Sequence, residues 1–279
     1  MDYARIIITG ASSGLGEHFA RTLAAPGREL ILIARRRERL EQLATELRTR
    51  HPDSTRHPGV TISPYPCDLA DAAERTRLCA HLTSLTEQPT LLINNAGLGD
   101  YGAFAQADAA KIRSMMQVNM LATVELTHTL LPGMLRTGNA GIMNIASLAA
   151  DVFLPDFALY AASKSFVAAF SEGLRLELVG SGVRVLAVCP GPVHTEFGSV
   201  ARRAGYSSGD IPLKPLFYTS IPTVVQGSLK ALAAGRPRYY PSLKIRIAGC
   251  ILRCMPLWLL RTILRTRPRR VTIEQGGAA

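Results

Sequence analysis

Apolar runs of four to six residues recur along this chain of 279 residues, and stretches with helical spacing separate them. Arg5–Thr9, Glu29–Ala34, Val60–Tyr65, Thr90–Ile93, Gly141–Ala146 and Val183–Val188 read as buried strands, and Arg238–Pro241 as a short last one. Helices are expected from the glycines after the first strand to about Ala25, over Arg37–Arg50, through a long Ala107–Leu135, over 157–179 and over Pro222–Ala234. Strictly alternating strands and helices predict an α/β fold, a doubly wound parallel sheet covered on both faces. One core is expected in residues 1–241, followed by an extension over 242–279.

The chemistry suggested by the polar positions sits where the apolar runs end. Ser147 closes the run Gly-Ile-Met-Asn-Ile-Ala, at a strand's carboxyl end, where open sheets bind ligands. Tyr160 and Lys164 are four apart in a helical run, so they share one face, and an ammonium beside a phenol favours the phenolate. Such a pair taken alone also describes an ordinary surface contact. Its company decides: Thr9–Gly16 reads Thr-Gly-Ala-Ser-Ser-Gly-Leu-Gly, Asn94–Gly97 reads Asn-Asn-Ala-Gly, and Pro190-Gly191 follows the Val183–Val188 run. In that order and spacing, the motifs resemble the short-chain dehydrogenase/reductase family, over roughly residues 4–240.

The resemblance implies a Rossmann fold binding a dinucleotide. Gly10, Gly14 and Gly16 suit a tight turn, close pyrophosphate approach and helix–strand packing, with Ser12, Ser13 and Leu15 in the same loop. After the second strand, where an acid would meet the ribose 2′-hydroxyl, the chain has Ala34 and then Arg35, Arg36 and Arg37. In the family this goes with NADP; Arg35 is the first candidate for the 2′-phosphate and Arg36 the second, against the alternative of a solvated helix start. Asp68 and Leu69 fall where the family meets adenine, although Asp68 also suits a helix-cap neighbourhood. Asn95, Ala96 and Gly97, then Pro190, Gly191, Val193 and Thr195, complete the implied cofactor set, to which Tyr160 and Lys164 also belong.

Asn119 lies inside the long helical run; the resemblance gives it a local helix distortion and a place in a proton relay to Lys164. The implied catalytic set is thus Asn119, Ser147, Tyr160 and Lys164, with no metal. The expected function is NADP(H)-dependent interconversion of a carbonyl and an alcohol. Leu148, Val152, Phe153, Leu154 and Phe157 form an apolar wall that points to a lipophilic small-molecule substrate. The alternative is an NADP-binding regulatory or membrane-surface protein without turnover. His194 reads as a loop residue. Residues 196–235 are expected to be a substrate lid and helices, with Phe197 and Tyr206 inserted in a Gly/Pro/Ser-rich stretch.

Charge and cysteine content change this picture only at the tail. The net charge is +11, and residues 236–279 hold ten Lys or Arg against the single acid Glu274, leaving +2 for the preceding 235 residues. Leu243–Arg270 intersperses apolar residues with Arg and Lys and breaks at Pro256, too interrupted to span a bilayer. Peripheral contact with an anionic membrane is one reading, packing on the protein or a second subunit the other. No nucleic-acid module is present. The five cysteines, Cys67, Cys79, Cys189, Cys250 and Cys254, are expected to be buried free thiols. A strand starting this close to Met1 leaves no room for a signal peptide, so a reducing cytoplasm is expected, with the inner face of a membrane as a candidate association. A homodimer through helices 107–135 and 157–179 is implied by the resemblance.

Overall fold

The computed structural model describes residues 3–53, 58–85, 87–203 and 218–265. Among them, β1 (Arg5–Thr9), β2 (Glu29–Ala34), β3 (Thr61–Pro66), β4 (Leu91–Asn94), β5 (Ala140–Ile145), β6 (Val183–Val188) and β7 (Arg238–Tyr239) form one parallel sheet. The strand order is β3-β2-β1-β4-β5-β6-β7. Chain direction across the sheet reverses between β1 and β4, which opens a crevice at their carboxyl ends. Both the glycine loop and Asn94–Gly97 leave the sheet at that crevice.

Alternation along each strand builds two apolar layers. Ile6, Ile8, Leu30, Leu32 and Ile93 face α1 (Gly14–Leu23), α2 (Arg37–Arg50) and α8 (Ile221–Ala233), through Phe19, Leu40, Leu47 and Val224. Ile7, Ile31, Leu92, Ile142 and Val185 face the opposite way, onto Leu78 of α3 (Ala72–Thr83), Leu126 and Met134 of α5 (Ala122–Thr137) and Leu174 of α6 (Ala158–Glu177). Each such side chain, fully buried, contributes about 1.5–3 kcal/mol of transfer free energy. The parallel register, Ile7 beside both Ile31 and Leu92, keeps the layers aligned across the switch point.

A polar brace crosses this apolar interior behind the crevice. Asn94 Nδ2 donates to Asn144 Oδ1 (2.8 Å) and to Thr127 Oγ1 (3.2 Å), and Asn144 Nδ2 donates to Ser171 Oγ (2.9 Å). It ties the ends of β4 and β5 to α5 and α6.

The expected single helix over 107–135 is interrupted. α4 (Ala109–Met116) passes through a π-helical turn at Gln117–Leu121 before α5 begins. One extra residue is inserted there, and Asn119 is its centre. At the other end of the chain, Ser242 caps α9 (Leu243–Cys254) by accepting from the Ile245 amide, and α10 (Leu257–Arg265) follows Pro256. This helical extension is anchored at Asp151, whose carboxylate accepts from Tyr240 Oη (2.7 Å) and from Arg238 (3.0 Å). No helix among the described residues is long and apolar enough to cross a membrane.

The cysteine expectation needs correction. Cys67 and Cys189 are buried, but Cys79 is half-buried and Cys250 and Cys254 are exposed. α9 packs through the side bearing Ile245 and Gly249, so its cysteines, on the other side, face outward.

Candidate active site

The glycine loop is held from behind by Asn95. Thr9 Oγ1 accepts from the Asn95 and Ala96 amides (2.9 and 3.0 Å), while Asn95 Nδ2 donates to the Thr9 and Gly10 carbonyls (2.9 and 3.2 Å). Gly10 takes φ +65°, and a Cβ there would lie 2.9 Å from Ala96 Cα. On Gly16 a Cβ would run into the Gly10 carbonyl. Ser13 stands at the N-cap of the ten-residue α1 without a side-chain capping bond. The first-turn amides therefore face the crevice, the arrangement that favours an anionic phosphate. These residues fit the pyrophosphate of a dinucleotide, with Ser12 and Leu15 in the same turn.

At the other end of the crevice, Ser147, Tyr160 and Lys164 converge. Ser147 is extended and its Oγ accepts from the Ala149 amide (3.1 Å), which leaves its hydroxyl proton to be donated. A side-chain hydrogen bond links Ser147 to Tyr160. Lys164, 4 % exposed, donates from Nζ to the Ile145 carbonyl (2.8 Å), and its ammonium lies 5.8 Å from the centre of the Tyr160 ring. Gly97 makes room for it: a Cβ there would sit 3.2 Å from Nζ and 3.6 Å from Asn119 Oδ1.

Asn119 reaches this group because of the π-turn. Its Nδ2 donates to the Leu98 carbonyl and to Ser163 Oγ (both 2.9 Å), and its Oδ1 accepts from the Leu98 amide (2.7 Å). The Asn119 main-chain carbonyl accepts from Thr123 Oγ1 (3.2 Å). Aromatic rings close the outer side. Phe157 stacks on Tyr160 at 4.2 Å, Phe197 lies 5.4 Å from it, and Tyr101 meets Phe157 edge-on at 5.6 Å.

The remaining candidates fall around these two clusters. Arg35 is exposed, whereas Arg36 reaches Ser12, donating to Oγ (3.2 Å) and to the carbonyl oxygen (3.3 Å). Asp68 Oδ1 accepts from the Ala70 amide and the α3 cap is Asp71, so the helix-cap neighbourhood also holds. The Leu69 side chain is core and its carbonyl accepts from Arg75 Nη1 (2.9 Å), which leaves only its amide for contact outside. The Pro190 carbonyl accepts from the Leu148 amide (2.8 Å), Gly191 follows it, Val193 pairs with Thr219, and the Thr195 methyl packs against Gly14. His194 stacks on Tyr218, away from the Ser147–Tyr160 contact. Of the expected lid, 204–217, with Tyr206, lies outside the described residues, as do 266–279 with Glu274. Its described start is α7 (Phe197–Val200), and Arg203 is anchored to the buried Asp100 (Nε–Oδ1 2.9 Å).

Sequence reading missed Ser163, Arg39 and Glu196. Ser163 is the third residue of Tyr-Ala-Ala-Ser-Lys and holds Asn119 in place. Arg39 and Glu196 meet across 157 residues, Nη1 to Oε1 at 2.6 Å, and no local pattern announces a contact so distant in sequence. Among the described residues, no three His, Cys, Asp or Glu side chains gather to hold a metal ion.

Burial sets the electrostatics of the pair. Burial pushes Tyr160 up to about 12, with the Ser147 hydrogen bond opposing it, so desolvation outweighs the lowering expected from the neighbouring ammonium. Burial likewise pulls Lys164 down to about 8 from 10.5. Between those two Lys164 values the unfolded chain binds more protons than the folded one, so the lysine's contribution to stability rises as pH increases from about 8 to 10.5. Urea midpoints of wild type and Lys164→Met, compared across this window, should converge upward only for wild type, by about 1–3 kcal/mol in unfolding free energy. Parallel pH profiles in the two proteins would mean that Lys164 is not held at a depressed value.

Known proteins share this arrangement. Residues 4–204 match the model of the short chain dehydrogenase family. Sulfoacetaldehyde reductase 2 of Chromohalobacter salexigens is 37 % identical over 207 residues, 74 % of this chain and 79 % of that one. A short-chain dehydrogenase from Sphingobium yanoikuyae, solved in complex with NADPH, superposes with a TM-score of 0.76 at 28 % identity, over 99 % of this chain and 98 % of its own. The bulky-bulky ketone specific alcohol dehydrogenase of Comamonas testosteroni gives 0.71 at 28 % identity, over 100 % and 98 %. With residues 4–204 matched by the family model and a curated relative 37 % identical over 74 % of its length, the chain belongs to the short-chain dehydrogenase/reductase family.

Proposed function

We propose that this protein reduces a bulky, apolar ketone or aldehyde to the alcohol with NADPH, using Tyr160 as the proton donor. The observation that carries the reading is the convergence of the half-buried Ser147 with the buried Tyr160 and Lys164 at the carboxyl end of β5. NADP(H) supplies or accepts the hydride through its nicotinamide ring. The α1 N-terminus would hold the pyrophosphate, Arg35, Arg36, Asp68 and Leu69 the adenosine end, and Pro190, Gly191, Val193 and Thr195 the nicotinamide end.

Each side chain has one task. Ser147, whose hydroxyl otherwise donates to Tyr160, turns that proton to the substrate oxygen and orients it. Tyr160, raised to about 12, stays protonated throughout the neutral range, the form that reduction requires. As the carbonyl becomes an alkoxide, the phenol gives up its proton and becomes a phenolate, which the Lys164 ammonium then stabilises. In this reading a water on the Asn119 main-chain carbonyl passes a proton from solvent by way of Lys164 back to the phenolate, while Leu98 and Ser163 fix the Asn119 side chain. Phe157, Phe197 and Tyr101 exclude water and favour apolar substituents on the carbonyl. Residues 1–241 form the catalytic unit, and 196–235 its cover.

The turnover reading is tested with Tyr160→Phe. With a bulky aromatic ketone, kcat should fall about 10²–10⁴-fold while NADPH affinity, followed by cofactor fluorescence, stays within about twofold. An active Phe variant, or a wild type that binds NADPH and turns over no carbonyl compound, would favour a regulatory NADP-binding role.

A second reading concerns the extension over 242–279. Leu243, Ile247, Ile251 and Trp258 are exposed on α9 and α10, Trp258 by 67 %, with Lys244, Arg246 and Arg261 exposed among them. Apolar anchors amid cations suit the headgroup region of an anionic bilayer at the inner face of a membrane. Vesicles of phosphatidylserine and phosphatidylcholine should co-sediment the wild type and release a Trp258→Ala, Arg261→Glu variant. Equal sedimentation of both, or none of either, would leave the extension as a cover for the protein itself. Exposed Met116, Leu121, Phe166 and Leu176 on α4, the π-turn and α6 support the homodimer face on the same helices the family uses.

A further inference from the structure

Glu196 is placed among three groups that the reaction needs. Its neighbour Thr195 packs its methyl against Gly14 of the glycine loop, and its other neighbour Phe197 sets its ring 5.4 Å from that of Tyr160. The carboxylate itself turns outward and takes two guanidiniums, Arg36 Nη1 on Oε2 (2.7 Å) and Arg39 Nη1 on Oε1 (2.6 Å). Arg36 is at the same time bonded to Ser12 of the glycine loop. Two cations at the start of α2 thus meet one anionic group, and one of them is tied to the Ser12 hydroxyl in the glycine loop. The pairing keeps the Glu196 carboxyl below its usual range, Arg39 contributing most and Arg36 next.

This carboxylate occupies the arginines that face the adenosine ribose. A ribose 2′-phosphate brings up to two negative charges and three acceptor oxygens to the same fork, against one charge and two oxygens from Glu196. A ribose 2′-hydroxyl brings no charge and cannot displace a doubly paired carboxylate. We propose that Glu196 is a cofactor-sensing latch: it stands in for the 2′-phosphate on Arg36 and Arg39, and NADPH, but not NADH, displaces it and thereby frees α7 with Phe197 beside Tyr160. Arg39 is then a ligand of the 2′-phosphate together with Arg36. The consequence is a chemical link between the cofactor's identity and the aromatic wall of the substrate site, carried by three consecutive residues, Thr195, Glu196 and Phe197.

This inference rests on the NADPH reading above, and the experiment separates the two. Full-length wild type, Glu196→Gln and Glu196→Gln/Arg39→Ala are titrated with NADPH and with NADH by cofactor fluorescence. Hydrogen exchange is followed in parallel at the Val200 and Ala201 amides, which donate to the Glu196 and Phe197 carbonyls (3.1 and 2.9 Å). The latch predicts that Glu196→Gln tightens NADPH about three- to tenfold, the worth of one or two exposed ion pairs, and leaves NADH within about twofold. The added Arg39→Ala should cancel that gain. NADPH should raise exchange at Val200 and Ala201 in wild type to the level of free Glu196→Gln, and NADH should not. An unchanged NADPH-to-NADH ratio in Glu196→Gln, or identical exchange with the two cofactors, overturns the latch. If wild type itself binds NADPH no better than NADH, the NADPH reading fails and the latch with it.

Discussion

A buried ammonium is the constraint around which this molecule is arranged. Lys164 is almost wholly removed from water, and an ionised lysine there costs several kcal/mol unless its hydrogen bonds are met. The Ile145 carbonyl meets one of them, and that carbonyl is in position because β5 ends there, between β4 and β6. Glycine at position 97 leaves the space beside Nζ open, and the aromatic face of Tyr160 lies within cation–π reach. Remove any of these supports and the lysine either loses its proton or leaves the site.

The supports are themselves braced by polar contacts buried in an otherwise apolar interior. Asn94, Asn144, Thr127 and Ser171 lock the ends of the central strands to α5 and α6, so that Ser147 and Lys164 approach from two elements of fixed separation. The π-turn aims Asn119 at Leu98 and Ser163, a local irregularity of the kind that gathers at functional sites. Asp151 holds Tyr240 and Arg238, which connects the far end of the chain to the turn just after Ser147. The helical extension is therefore packed onto the catalytic unit at its base while α9 and α10 keep apolar side chains exposed.

How much of this was legible in the sequence follows from the range of each interaction. β1, β2 and α2 were readable to the residue, because the period of apolar residues and the glycines and arginines that punctuate them are local signals. Tyr160 and Lys164 were legible as helical neighbours, and Ser147 as the end of an apolar run. The break at Gln117–Leu121 was invisible in the apolar period, which one inserted residue leaves nearly intact, and only the family resemblance placed a distortion at Asn119. The direction in which Tyr160 titrates was not legible either: proximity to a cation is visible four residues away, but desolvation depends on Phe157 and Phe197, which only the fold brings over the ring. The outward-facing Cys250 and Cys254 were misread for the same reason, because the helical period alone does not say which side of α9 meets the protein.

The most direct test of the central claim is the fate of a single hydrogen. The purified protein is mixed with NADPH carrying deuterium at both positions of nicotinamide C4 and with a bulky aromatic ketone in ordinary water, and the alcohol is analysed by mass spectrometry. The account predicts one deuterium on the carbinol carbon, transferred from nicotinamide C4. An alcohol without deuterium, or NADPH consumed with no alcohol formed, would contradict it.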